Sequence, residues 1–230
     1  MPDAAPQPAQ SPPAVLITGA SSGIGAACAA AFADHGWAVR LNGRDAAKLE
    51  AVRASLAGEG HTCCPGDVTE WAEDPRRIPA LAPVDALVWS AGVCELAPAS
   101  VLSEATLLRS LRANLVAPMV VTGRLFRKKI LREGARVVWV GSEAARRAGE
   151  GFAVYAATKG GLASAAAVFE REFARRNVSV TCVEPGTVDT PMTQSVIDQF
   201  GGLQDGHAES MRTADSVARE ILALCQNHTR

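Results

Sequence analysis

The chain of 230 residues contains one tyrosine, Tyr155, and Lys159 follows it four positions later in Y-A-A-T-K. On a helix, positions i and i+4 share a face, so this spacing sets an ammonium beside a phenol. A free tyrosine titrates near pH 10, too high for ready proton exchange at neutral pH, with a value of about 10. A neighbouring cation favours the phenolate, so the pair can hand over a proton where a lone tyrosine does so poorly. Thirteen residues before Tyr155, directly after the apolar run RVVWV and Gly141, stands the hydroxyl of Ser142. A Tyr-x-x-x-Lys pair also suits an ordinary helix surface, so chemistry requires further groups around it.

A second cluster lies near the start. Residues 18–25 read T-G-A-S-S-G-I-G, with glycines at 19, 23 and 25. Glycines let a backbone turn tightly and approach a bound group with no Cβ in the way. A helix opening after such a turn offers unpaired N–H groups and a positive dipole end to a pyrophosphate. The spacing is Gly-x-x-x-Gly-x-Gly rather than the dinucleotide fingerprint Gly-x-Gly-x-x-Gly.

These groups need a scaffold. Apolar runs at 14–18, 37–42, 61–64, 86–90, 136–140 and 178–183 predict six strands. Helical patterns at 23–35, 45–56, 102–112, 115–132, 152–176, 194–200 and 214–224 separate or follow them. Strand and helix alternate, and the strands are continuous apolar runs. That pattern predicts an α/β fold, a doubly wound parallel sheet of Rossmann type with both faces covered. No internal repeat or linker divides residues 14–230, which read as one domain. Residues 1–13 (MPDAAPQPAQSPP) have neither a basic nor an apolar segment and read as a disordered leader.

Composition narrows the function classes. Lys plus Arg number 23 and Asp plus Glu 24, so the chain lacks the charge excess of a nucleic-acid binder. No apolar run reaches the ~18 residues of a membrane helix. Six cysteines include no C-x-x-C pair, and four histidines are scattered, so no metal site is expected. Reduced thiols point to a cytoplasmic protein.

The octapeptide at 18–25 resembles that of the short-chain dehydrogenase/reductase family, in its single-domain branch, which includes 3-oxoacyl-carrier-protein reductases. The resemblance extends from residue 14 to about 226. It implies a catalytic set of Asn114, Ser142, Tyr155 and Lys159. It implies cofactor contacts from Gly19, Ser21, Ser22, Gly23, Ile24 and Gly25. Asp67 and Val68 match the family's pair at the adenine ring. Ser90, Ala91 and Gly92 correspond to its Asn-Ala-Gly segment, with Ser90 in place of the asparagine. Pro185, Gly186, Val188 and Thr190 match the motif bordering the nicotinamide, with backbone groups of Val188 and the Thr190 hydroxyl directed at the carboxamide. Gly43 stands where NAD-dependent members carry aspartate, and Arg44 follows it. A permanent cation there favours the 2′-phosphate of NADP(H), although Asp45 is close.

The implied reaction is hydride transfer between NADPH and a carbonyl carbon, or its reverse. Ser142 and Tyr155 hold the oxygen, Tyr155 supplies the proton, Lys159 lowers its pKa, and Asn114 anchors a water that refills it. A non-catalytic NADP(H)-binding regulator or scaffold of the same fold is the alternative. Arg146 and Arg147 stand where an anionic substrate could meet them, although a solvated loop pair has the same sequence. Met192, Val196, Ile197, Phe200, Leu203 and Met211, with Gly201, Gly202 and Gly206, read as a mobile lid. Basic residues at 127–129, 132, 175 and 176 leave room for a carrier-bound substrate. The family's usual seventh strand is missing, which disfavours a tetramer and leaves a homodimer through the helices after Leu115 and Phe152.

Overall fold

A computed structural model of the chain describes residues 11–147, 149–200 and 211–226. The first ten residues of the expected leader lie outside the described residues. So do Gly201, Gly202, Leu203, Gly206 and the Phe200 side chain of the expected lid. In chain order the elements are β1 (Ala14–Thr18), α1 (Gly23–Asp34), β2 (Ala38–Gly43), α2 (Ala46–Ser55), β3 (Thr62–Pro65) and α3 (Val68–Glu73). There follow β4 (Val84–Trp89), α4 (Glu104–Leu111), α5 (Ala117–Arg127), β5 (Leu131–Val140), α6 (Ala153–Phe173) and β6 (Ser179–Val183). Last come β7 (Val188–Asp189), α7 (Pro191–Phe200), β8 (Arg212–Thr213) and α8 (Ala214–Gln226).

The first six strands form one parallel sheet in the order β3-β2-β1-β4-β5-β6. Alternate strand residues enter two cores. Val15, Ile17, Val39, Leu41, Val88 and Val138 pack under α1 and α8. Leu16, Leu87, Trp89, Val137, Trp139 and Val180 pack under α5 and α6. Burial on both faces is why the strands read as unbroken apolar runs. The chain reverses its direction of winding between β1 and β4, so the loops after those strands part and open a crevice at the carboxyl edge.

Three details differ from the expected pattern. The two middle helices are nearly one, joined by a π-helical turn at Arg112–Val116. Pro118 explains the widening, because it has no N–H for the carbonyl of Asn114 four residues back. The second of these helices stops at Arg127 rather than 132. Lys129 adopts a left-handed conformation (φ 57°), and β5 has begun by Leu131. Finally, β7 and β8 pair in a small parallel sheet of their own. Among the described residues β6 is an edge strand. The Glu170 carboxylate covers its Val180 N–H, a charged plug of the kind that deters strand pairing.

The placement of the basic residues follows from the same topology. A helix leading into a parallel strand ends at that strand's amino end. Residues 127–129 and 132 therefore lie opposite the crevice, as do Arg175 and Arg176. Arg132 pairs with Asp85 (2.7 Å), and Arg176 donates to the carbonyls of Phe126 and Leu131 (both 2.7 Å). They hold the sheet's amino edge and do not flank the cleft.

Candidate active site

Between β1 and α1 the backbone is packed against backbone. Gly19 has φ 68°, and a Cβ there would lie 2.8 Å from the Ala91 nitrogen; one on Gly25 would lie 2.2 Å from the Gly19 oxygen. Neither contact can be relieved by moving a side chain. The Ala91 N–H donates to the buried Thr18 hydroxyl (3.2 Å), which ties the two loops at the switch point together. Ser22 is the N-cap of α1 yet makes no side-chain cap, whereas Asp45, Asp67 and Ser103 cap α2, α3 and α4. The first-turn N–H groups of α1 are thus left for a ligand, and Ser21, Ser22, Gly23 and Ile24 line a cavity of about 620 Å³.

At the end of β2, Arg44 lines the same cavity and has no carboxylate partner among the described residues. Asp45 does not compete for it, because its carboxylate accepts from the Lys48 N–H (3.0 Å) and faces the Lys48 ammonium. Asp67 and Val68 also line the cavity, but the Asp67 carboxylate is engaged by the N–H and hydroxyl of Thr69 (both 2.8 Å). Asn42 donates to the carbonyls of Cys64 and Gly66 and so fixes the ends of β2 and β3 beside this region.

Tyr155 and Lys159 face the middle of the cavity from α6. The Ser142 hydroxyl, which accepts from the Ala144 N–H (3.1 Å), lines the cavity with Tyr155 and lies close enough to favour its phenolate. Burial, reinforced by the Cys94 thiol, pushes the Tyr155 phenol above its ordinary value, and Ser142 only partly opposes this. Lys159 is buried, donates to the Val140 carbonyl (2.7 Å) and stands 5.6 Å from the Tyr155 ring centre. Burial lowers it to about 8, with Cys182 and Cys94 acting against the shift. In the polypeptide alone burial therefore favours the neutral phenol, with the Lys159 ammonium 5.6 Å from its ring.

Asn114 lies in the π turn, buried. Its amide pairs with both backbone groups of Val93 (2.8 Å each), and Nδ2 also donates to the Thr158 hydroxyl (3.2 Å). Thr158 in turn donates to the Tyr155 carbonyl (2.8 Å). Ser90, Ala91 and Gly92 line the cavity, and a Cβ on Gly92 would come within 2.9 Å of Asn114 Oδ1. Asn114 thus brings the loop after β4 to the helix carrying Tyr155 and Lys159.

Pro185, Gly186, Val188 and Thr190 line the remaining wall. The Pro185 carbonyl accepts from the Glu143 N–H (3.1 Å). The Val188 carbonyl and the Thr190 hydroxyl accept from Thr193, so both are engaged within the start of α7. Leu96, Phe152, Met192 and Val196 give the outer cleft an apolar side. The two loop arginines are both paired, Arg146 with Glu184 and Arg147 with Glu143 (3.0 Å). Neither is a free anion receptor. Asn42 and Glu143 join the site without a motif to announce them, since each gains its place only when neighbouring strands bring their ends together; Thr18 and Thr158 lie within the two motifs, but their bonds to Ala91 and Asn114 appear only in the fold.

Space reserved by Gly19, Gly25 and Gly92, an uncapped helix end and the cavity's extent fit a dinucleotide. Comparisons with known proteins agree. A family model described as short chain dehydrogenase matches residues 13–200. D-threitol dehydrogenase of Mycolicibacterium smegmatis is 32% identical over 192 residues, covering 80% of this chain and 73% of that protein. The 3-oxoacyl-[acyl-carrier-protein] reductase of Rattus norvegicus is 29% identical, covering 80% and 78% respectively. A variant actinorhodin polyketide ketoreductase solved with NADPH superposes with a TM-score of 0.84 at 25% identity, covering 96% of this chain and 93% of that one. Among the described residues no helix is long and apolar enough to cross a membrane.

Proposed function

This chain belongs to the short-chain dehydrogenase family, and from that premise we propose that it is an NADPH-dependent reductase of ketones, able to run in reverse as an alcohol dehydrogenase. The observation that carries the reading is the protein's one phenol, on the wall of a dinucleotide-sized cavity that Ser142 also lines, with the Lys159 ammonium 5.6 Å from its ring.

The residues divide the work. The turn at 19–25 and the N-terminus of α1 hold the pyrophosphate. Arg44 receives the 2′-phosphate of the adenosine ribose, and Asp67 and Val68 lie at the adenine. Residues 90–92, 185, 186, 188 and 190 border the nicotinamide. A nicotinamide bound there supplies the hydride. Ser142 and Tyr155 donate hydrogen bonds to the carbonyl oxygen, whose negative charge grows as the carbon accepts the hydride. Tyr155 then gives up its proton as general acid. A phenol held neutral is the form this direction needs. Lys159 supplies positive charge beside the phenolate left behind and holds the nicotinamide ribose. The Asn114 carbonyl, which Pro118 cannot serve as an i+4 donor, anchors the water that returns the proton.

The substrate is a free small molecule, since the basic groups that would dock a carrier lie at the other edge of the sheet. Exposed Leu107, Leu108, Val116 and Val168 on and beside α4, α5 and α6 support pairing of two copies through these helices. A cytoplasmic location accords with the unpaired cysteines.

The test is Tyr155→Phe. NADPH oxidation with a ketone falls at least about 100-fold, as loss of a general acid requires, while NADPH still binds by fluorescence titration. Full turnover by the variant would overturn the reading.

A further inference from the structure

We propose that Glu143 makes this cleft selective for ketones that carry a hydroxyl on the carbon next to the carbonyl. The inference rests on the reductase reading above and adds the substrate class. Glu143 follows Ser142 directly, so its side chain starts beside the point where the carbonyl oxygen is held. Both carboxylate oxygens lie over Gly186, 3.2 Å (Oε2) and 3.6 Å (Oε1) from where a Cβ on that glycine would be. Gly186 borders the nicotinamide position, so the carboxylate overlooks the place where the reacting carbon must sit.

The two oxygens differ. Arg147 engages Oε2 at 3.0 Å, while Oε1 has no donor among the described residues. The side chain is 42% exposed, and both Glu143 and Arg147 line the cavity. Arg147 thus fixes the carboxylate and balances its charge, and one acceptor remains open. A carboxylate oxygen is an acceptor only, so its complement is an O–H on the substrate. An anionic group at the same position would face the open carboxylate oxygen with no hydrogen to offer it, which disfavours 2-oxo acids. Leu96, Phe152, Met192 and Val196, lining the outer cleft, take the apolar remainder of the ketone. The Glu143 N–H bond to Pro185 is a main-chain contact and survives replacement of the side chain.

The experiment compares 2-hydroxyacetophenone with propiophenone, in which a methyl replaces the hydroxyl, and with the anion phenylglyoxylate. NADPH oxidation is followed for the unaltered protein, Glu143→Gln and Glu143→Ala. An α-hydroxyl also activates a carbonyl, so the change of ratio between proteins is the quantity read. The alanine variant is expected to lose at least about tenfold more kcat/KM on the hydroxy ketone than on propiophenone. Glutamine keeps a neutral acceptor and is expected to lose less, about threefold; this isostere carries the test if the alanine variant does not fold. Phenylglyoxylate is expected to be the poorest of the three and to gain on Glu143→Ala. An unchanged ratio with sustained turnover overturns the role of Glu143 alone. No NADPH oxidation with any of the three ketones overturns the reductase reading with it.

Discussion

The two halves of the cavity are built in opposite ways. On the cofactor side, main chain meets main chain: Gly19 against Ala91, and Gly25 against Gly19. On the substrate side, side chains from distant loops meet each other: Glu143 with Arg147, and Leu96, Phe152, Met192 and Val196 along the cleft. Backbone contacts tolerate one residue type and leave a motif in the sequence. Side-chain contacts tolerate many solutions, so they vary the ligand without disturbing the fold.

The strongest way to break this contrast is Gly25→Ala. The new methyl meets the Gly19 carbonyl, the turn must open, and NADPH binding is expected to weaken at least about 100-fold, measured by nucleotide fluorescence. The matched control is Gly123→Ala on α5, where an added Cβ meets nothing within 4 Å. That variant is expected to bind NADPH normally and to gain about 0.5–1 kcal/mol of stability. Equal loss in both would mean that glycine at 25 serves the helix and not the ligand.

Lys159 stands where the halves join, and its burial has a cost visible in the pH dependence of stability. Its value falls from 10.5 to about 8 on folding. Below pH 8 both states carry the charge and the full penalty of burying it is present. Between pH 8 and 10.5 the unfolded chain binds more protons, so stability from this group rises with pH. The size is roughly 3 kcal/mol at most. Lys159→Met is therefore expected to unfold at higher urea than the unaltered protein at pH 7. The advantage shrinks between pH 8 and 10.5, and a constant difference over that range would contradict the account.

Arg44 is a side chain on the wall of the backbone-built half, and the effect expected of it is smaller. Arg44→Ala is expected to raise the dissociation constant of NADPH about tenfold and leave that of NADH nearly unchanged. Equal effects on both nucleotides would remove Arg44 from the 2′-phosphate.

What could be read from the sequence follows the same division. The glycine turn and the six apolar runs were legible because one backbone geometry, and burial on both sheet faces, left few alternatives. Tyr155 and Lys159 were legible because helical spacing is local. Glu143 over Gly186 was not, since it depends on β5 and β6 lying side by side. The π turn follows from Pro118, whose missing N–H becomes telling only once the two middle helices are seen to run together. The helix expected to run to residue 132 ends at Arg127 because Lys129 turns left-handed, a choice that lysine seldom makes. The basic residues looked like a patch in sequence, and the direction of the strands puts them at the wrong edge for the cleft.

If Tyr155 is the proton donor, bound cofactor must bring its proton within reach. Because the protein has one tyrosine, tyrosinate absorbance reports that group alone. Titration without cofactor is expected to give a midpoint above that of free tyrosine, as burial dictates. Saturating NADP⁺ places positive charge beside the phenol and is expected to raise the tyrosinate fraction at fixed alkaline pH at least about tenfold. A midpoint that is the same with and without NADP⁺ would contradict that role for Tyr155.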